Sequence, residues 1–373
     1  MFLFGNGLSI ALSREFSLKV ITEKFISELK DFDREFMEAL CRRTINDISF
    51  DDFEANFNAI ESALLNLKRY RSFIDSSIGI KFLNQFNLAN PDLGVHEIII
   101  DRIYTKYINM ILEIIHGNVR KDKIVSNLGR FCNFFINEIE NSEKCYIFTL
   151  NYDLLVETIL LEFLGTDKFT DFCHQAGLDK SININKYNFN PTRCNSMYTD
   201  LQKKTELHHL HGSLSLFHDV LNNQIFKFIS SDIQKHSVYK NIYEKSLQYI
   251  PAIITGGGKS DKINEFPFFY YYKSMKDICE FGSASKLYIV GYSFRDEHIN
   301  SLINNWTNSV TDYKDSLLIV DYKDEGIGRE DFKRFVRSQI KKRPVIPDQC
   351  FEFGGVNEIK HIIDTSPRPK KKK

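Results

Sequence analysis

Five short polar stretches, each set directly after an apolar run, hold the side chains of this chain best suited to chemistry. They are Gly5-Asn6-Gly7-Leu8-Ser9, Asn151-Tyr152-Asp153, His211-Gly212-Ser213, Gly291-Tyr292-Ser293 and Asp321. Glycines at 5 and 7 let an anion approach the backbone, Ser9 adds a hydroxyl donor, and a helix opening at Leu8 would offer unpaired N–H groups at its positive end. The fingerprint is partial, since a full G-x-G-x-x-G needs glycine where Ile10 stands. An unperturbed imidazole titrates near neutrality, as a general base requires, and His211 is the candidate for that role. The amide of Asn151 can orient water through both a donor and an acceptor. Taken singly, each stretch also reads as a turn whose polar side chains bond the backbone.

Other polar clusters carry less. His208, His209 and His211 suggest a metal, but strand alternation puts 209 and 211 on one face and 208 on the other. No cysteine or carboxylate beside them completes a tetrahedral set, so no metal is expected. Glu157 reads as a solvated helix residue, His116-Gly117 as a helix end, and Arg295-Asp296-Glu297 as a cap or a solvent-facing run.

The elements that must position these residues follow from apolar periodicity. Residues 17 to 140 read as successive amphipathic helices, with Asp51-Asp52 favouring a helix start. Strands recur in KCYIFT, TELHHL, IPAIIT, KLYIV and SLLIV, and FHDVLNNQIFKFI reads as a hairpin about Asn222-Asn223. Apolar strands alternating with helices imply an α/β fold: a Rossmann-like, mostly parallel sheet with helices on both faces. The first strand lies at residue 2 and the rest follow residue 144, so 17–142 is expected to be a large all-helical insertion into a domain formed by 1–16 and 143–345. The cationic end, 365–373, is expected to hang free.

Composition excludes several classes. With 373 residues, 43% hydrophobic and 26% charged, the chain is expected to be globular, and 49 basic residues balance 49 acidic ones. That balance gives no global field for nucleic acid or an anionic membrane. Seven scattered cysteines without a C-x-x-C pair suit buried thiols in a reducing cytoplasm. No signal-like segment opens the chain, and no apolar run approaches the roughly 18 residues of a bilayer span.

In order along the chain, Gly-Asn-Gly-x-Ser, Thr149-x-Asn151-x-Asp153, His211-Gly212 and Gly291-x-Ser293 resemble the sirtuin family. The resemblance covers roughly 1–15, 143–220 and 250–325, and is strongest to sirtuin-like domains of bacterial antiphage defence systems, among them those that partner a HerA-type ATPase. It implies an NAD site in which Gly5, Asn6, Gly7 and Ser9 hold pyrophosphate and ribose. Arg14 would match the arginine of the cofactor loop. Asn151 and Asp153 would face the nicotinamide half as catalytic residues, His211 would be the catalytic histidine, Thr149 would belong to the cofactor site, and Gly291, Ser293 and Asp321 would line the adenosine half. Two departures stand out: Leu150 replaces the family's glutamine, and the paired zinc cysteines are absent between His211 and Gly291.

Without the zinc module an acyl-lysine acceptor has no evident site, which leaves water as the nucleophile. The expected activity is therefore NAD glycohydrolysis to ADP-ribose and nicotinamide, with NAD as substrate. Because uncontrolled NAD loss would poison the cell, control by assembly is expected, through self-association or an ATPase ring on the aromatic-rich helices. The alternative is a non-catalytic sensor of NAD or ADP-ribose that regulates a partner.

Overall fold

Phe2-Leu3-Phe4 forms the buried strand β1 (Phe2–Phe4), and its alternation divides the molecule. Phe2 and Phe4 join a core that runs into the N-terminal helices, whereas Leu3 joins the core on the opposite face of the sheet. The computed structural model describes residues 1–44, 48–89, 91–117, 119–171, 181–184, 187–189, 192–193, 203–228, 233, 239, 248–255, 262–310, 313, 315–323, 327–341 and 345–359. Cys173, Cys194, the glycines 256–258 and the tail 365–373 lie outside these residues. Cys41, Cys132, Cys145, Cys279 and Cys350 are buried thiols outside any disulfide.

The principal sheet is parallel throughout, which agrees with the expected α/β class. Beside β1 lie β2 (Cys145–Thr149), β7 (Thr205–His209) and β3 (Phe169–Thr170) on one side. On the other lie β11 (Leu287–Val290), β12 (Leu317–Val320) and β13 (Phe351–Glu352). One face is covered by α7 (Lys121–Asn141), whose Phe135 ring meets those of Phe2 and Phe4 edge-on at 4.8 and 5.2 Å. Each such pair adds about 1 kcal/mol to the burial itself. The opposite face is covered by α9 (Phe268–Glu280) and α10 (Glu297–Ser309). Buried Trp306 of α10 donates Nε1–H to Ala284 O at 2.8 Å, so its one polar group is satisfied. Helix α11 (Ile327–Gln339) follows β12.

The N-terminal helices are α1 (Asn6–Leu12), α2 (Leu18–Glu28), α3 (Asp31–Thr44), α4 (Phe53–Ile74), α5 (Ser77–Gln85) and α6 (Leu93–His116). Helix α4 starts where its cap dictates, with Asp52 Oδ1 accepting from Glu54 N at 2.9 Å. Helices α4 and α6 run antiparallel: Phe53 and Ile115 line one cavity, while Arg71 pairs with Glu97 at 2.9 Å at the other end. Phe25, Phe57 and Tyr107 pack edge-on between these helices, in the same core as Phe2. At the far end, Tyr70, Phe73, Phe82 and Phe86 form a run of touching, exposed rings.

A second, antiparallel sheet stands apart. It has the order β10 (Tyr249–Ile253), β8 (Gly212–Asp219), β9 (Gln224–Lys227) and β6 (Thr192–Arg193), and β4 (Ile182–Ile184) pairs with β5 (Tyr187–Phe189) separately. The β8–β9 hairpin turns at Asn222-Asn223, with Asn223 at φ 50° and Asp219 Oδ1 accepting from Leu221 and Asn222 N–H. Helix α8 (Leu155–Ile159) follows β2. Among the described residues, no helix is long and apolar enough to cross a membrane.

Candidate active site

The parallel strands end together, and the turns after β1 and β11 lie against one another. Gly7 N donates to Gly291 O at 2.9 Å, and Gly5 N to Val290 O at 3.0 Å. A Cβ on Gly5 or Gly7 would stand 2.6 Å from Gly291 backbone atoms, and one on Gly291 only 2.5 Å from Leu8 N. These glycines thus bring two turns into contact, a role distinct from the expected approach of an anion. The expectation of several unpaired amides in the first turn is also revised. Gly5, Gly7 and Leu8 all donate to protein carbonyls. Asn6 N–H is the amide of that turn with no such bond among the described residues.

Asn151 binds this turn to the end of β2. Its Nδ2 donates to Gly5 O at 3.1 Å and to Ser9 Oγ at 2.9 Å, while its backbone N donates to Thr149 Oγ1 at 3.1 Å. Both amide hydrogens are therefore committed to protein, and Oδ1 is left for a ligand. Ser9 Oγ donates to Asp153 Oδ2 at 2.6 Å, and Asp153 Oδ1 accepts from Leu155 N at 2.9 Å. Burial pushes the Asp153 carboxyl above its ordinary range, and its bonds to Ser9 and Leu155 only partly oppose this. Asp153 thus anchors Ser9 and the start of α8.

His211 lies in the turn between β7 and β8, held by Ile254 N donating to its carbonyl at 2.9 Å. Its Nε2 is 3.2 Å from Asp296 Oδ2. Asp296 is the N-cap of α10, where its Oδ1 accepts from His298 N at 3.1 Å.

A cavity of about 720 Å³ joins these groups. Gly5, Asn6, Gly7, Asn151, Asp153, His211, Gly291, Ser293 and Asp321 all line it. Ser9 and Thr149 lie behind that surface, buried and bonded to Asp153 and Asn151. Arg14 does not line the cavity and points to solvent from a 3-10 turn. The cations that do line it are Arg295 and Lys323, and Lys323 Nζ is 3.3 Å from Asp321 Oδ2. The helical segment supplies a wall through Phe16, Ile21, Phe53, Glu54 and Ile115. Tyr152 ties that wall to the sheet, its one hydroxyl proton shared between Glu54 Oε1 at 3.1 Å and Ile254 O at 2.7 Å.

The three histidines diverge because β7 ends at His209 and strand alternation stops there. His208 stacks on Phe148 at 4.7 Å, and His209 Nε2 lies 3.8 Å from Glu157 Oε2. Glu157 is buried, contrary to the expectation of a solvated residue, and it and Asp171 hold the buried Lys227 at 2.9 and 2.8 Å. Burial alone would lower the Lys227 pKa, but the two carboxylates outweigh it and raise it. Burial, helped by Lys227, holds His209 down to about 4, so it stays neutral and forms no ion pair at pH 7. Between pH 6.5 and 4 the unfolded chain binds a proton that folded His209 refuses. Stability should therefore fall as pH falls through this window, by about 3 kcal/mol from this residue. Urea unfolding of wild type and His209→Gln at pH 7 and pH 4.5 checks this. The wild type should lose more on acidification, and equal losses would refute it.

Sequence reasoning missed Asp296, Arg295, Lys323 and the helical wall. Asp296 carried a legible cap signal, but its nearness to His211 comes from two turns brought together by strand order. With this geometry established, the comparisons add that the family model of the SIR2-like domain matches residues 146–342. No curated protein matches the chain.

Proposed function

The chain belongs to the SIR2-like domain family, whose members bind NAD, and from this we propose that it hydrolyses NAD to ADP-ribose and nicotinamide. One observation carries the reading: Asn151, His211 and the first turn line a single cavity, with Asn151 bonded directly to that turn. The volume, about 720 Å³, suits a dinucleotide-sized ligand. Arg295, Lys323 and the Asn6 amide are the donors available to pyrophosphate, and Asp321 can accept from ribose hydroxyls.

The bond between nicotinamide N1 and ribose C1′ breaks with both electrons passing to nitrogen, so a neutral molecule leaves. Water forms the new bond to C1′ and gives up one proton. Asn151 Oδ1 orients that water, and His211 takes the proton, a contribution worth about 10²- to 10⁴-fold. The balance is NAD⁺ plus water giving ADP-ribose, nicotinamide and a proton. Asp153, itself on the cavity wall, fixes Ser9 and through it Asn151. Unchecked, this reaction would drain a cell of NAD. The proposal therefore includes control by assembly, as in an antiphage-defence effector, and the exposed aromatic run on α4 and α5 supports a surface for a second copy.

The full chain incubated with NAD should release nicotinamide, and Asn151→Ala should release it about 100-fold more slowly. Protection from melting by NAD with no nicotinamide from either protein would instead identify a sensor.

A further inference from the structure

Resting on the hydrolase reading, we infer that Asp296 is a positioning residue that fixes the tautomer of His211, keeping the proton on Nε2 and leaving Nδ1 as the base facing substrate. Three observations carry this. Asp296 Oδ2 lies 3.2 Å from His211 Nε2, and both side chains are buried, at 6% and 7% exposure. The carboxylate cannot swing away, because Oδ1 accepts from His298 N and Ile299 N at 3.1 and 3.4 Å, while the residue's carbonyl accepts from Tyr292 Oη at 3.0 Å. Nε2 is closed off from solvent and makes no hydrogen bond of full geometry, the Asp296 carboxylate being the acceptor within reach, and Nδ1 is the ring nitrogen left to the cavity.

The physical argument is that of any buried carboxylate–imidazole pair. A carboxylate charge beside one ring nitrogen favours the tautomer with the proton on that side, and stabilises the imidazolium formed when the other nitrogen takes a proton. The remaining ionisable groups around the cavity are the carboxyls of Asp52, Glu54, Asp153 and Asp321, the cations Arg295 and Lys323, and the phenols of Tyr152 and Tyr292. Of these and Asp296, Asp296 alone stands at ion-pair distance from His211 among the described residues.

Asp296→Asn separates this role from helix capping, since asparagine caps as well as aspartate. Its side-chain amide would donate toward Nε2 and drive the proton to Nδ1. The variant should melt near the wild type yet release nicotinamide about 100-fold more slowly, within the range of a lost general base. Wild-type rates would overturn the inference while leaving the hydrolase reading intact. A readout free of activity is the ¹⁵N spectrum of the His211 ring in the wild-type chain. It should show protonated Nε2 and bare Nδ1 for the neutral ring, and the opposite tautomer would overturn the inference whether or not the chain turns over NAD.

Discussion

Replacing His211 by glutamine should lower nicotinamide release from NAD by about 10²- to 10⁴-fold while the protein stays folded and still binds NAD. Glutamine keeps much of the side-chain volume and can hydrogen-bond Asp296, but it accepts no proton near neutral pH. The loss should fall on kcat, because the imidazole acts when water is deprotonated and contributes little to holding the ground state. Melting curves with and without NAD separate this from a folding defect. A variant that keeps wild-type turnover would remove His211 from the chemistry.

The second large effect is structural. Gly291 sits at φ 64°, a left-handed conformation, and a Cβ there would lie 2.5 Å from Leu8 N and 2.6 Å from Gly7 Cα. Alanine would therefore meet backbone, which cannot rotate aside as a side chain can. The left-handed strain and the overpacking together predict a loss of about 2–5 kcal/mol. That is a large share of the roughly 5–15 kcal/mol that holds a typical protein folded. Separating the two turns would also move Gly5 O, which holds Asn151, so activity should fall even in molecules that remain folded. Gly117→Ala is the control, because a Cβ at that position meets nothing within 4 Å. Equal melting temperatures for Gly291→Ala and wild type would show that the turns do not need this contact.

The parallel sheet was legible because most of its strands are apolar runs, with β7, Thr-Glu-Leu-His-His, an exception, and the five polar stretches because each lies just beyond a strand. The helical wall was not legible as part of the site. Phe16, Phe53 and Ile115 read only as core positions of amphipathic helices, and nothing local to them says which faces a cavity. The same limit hid Asp296, whose sequence neighbours explain its cap but not its partner. Arg14 shows the converse: a position matched by spacing alone stands outside the cavity, while Arg295 and Lys323 line it. The glycines of the first turn were noticed as a place where an anion can approach, and they also meet a neighbour the sequence did not indicate. Their lack of a side chain serves the backbone of Gly291 at least as directly as any anion.

The most direct test is to supply the full chain with NAD in ¹⁸O-labelled water and read the products by mass. Attack by water in this cavity predicts nicotinamide and ADP-ribose in equal amounts, with one ¹⁸O on the ribose of each fresh ADP-ribose. NAD recovered intact while bound to the folded chain, or ADP-ribose found joined to an acceptor other than water, would contradict it.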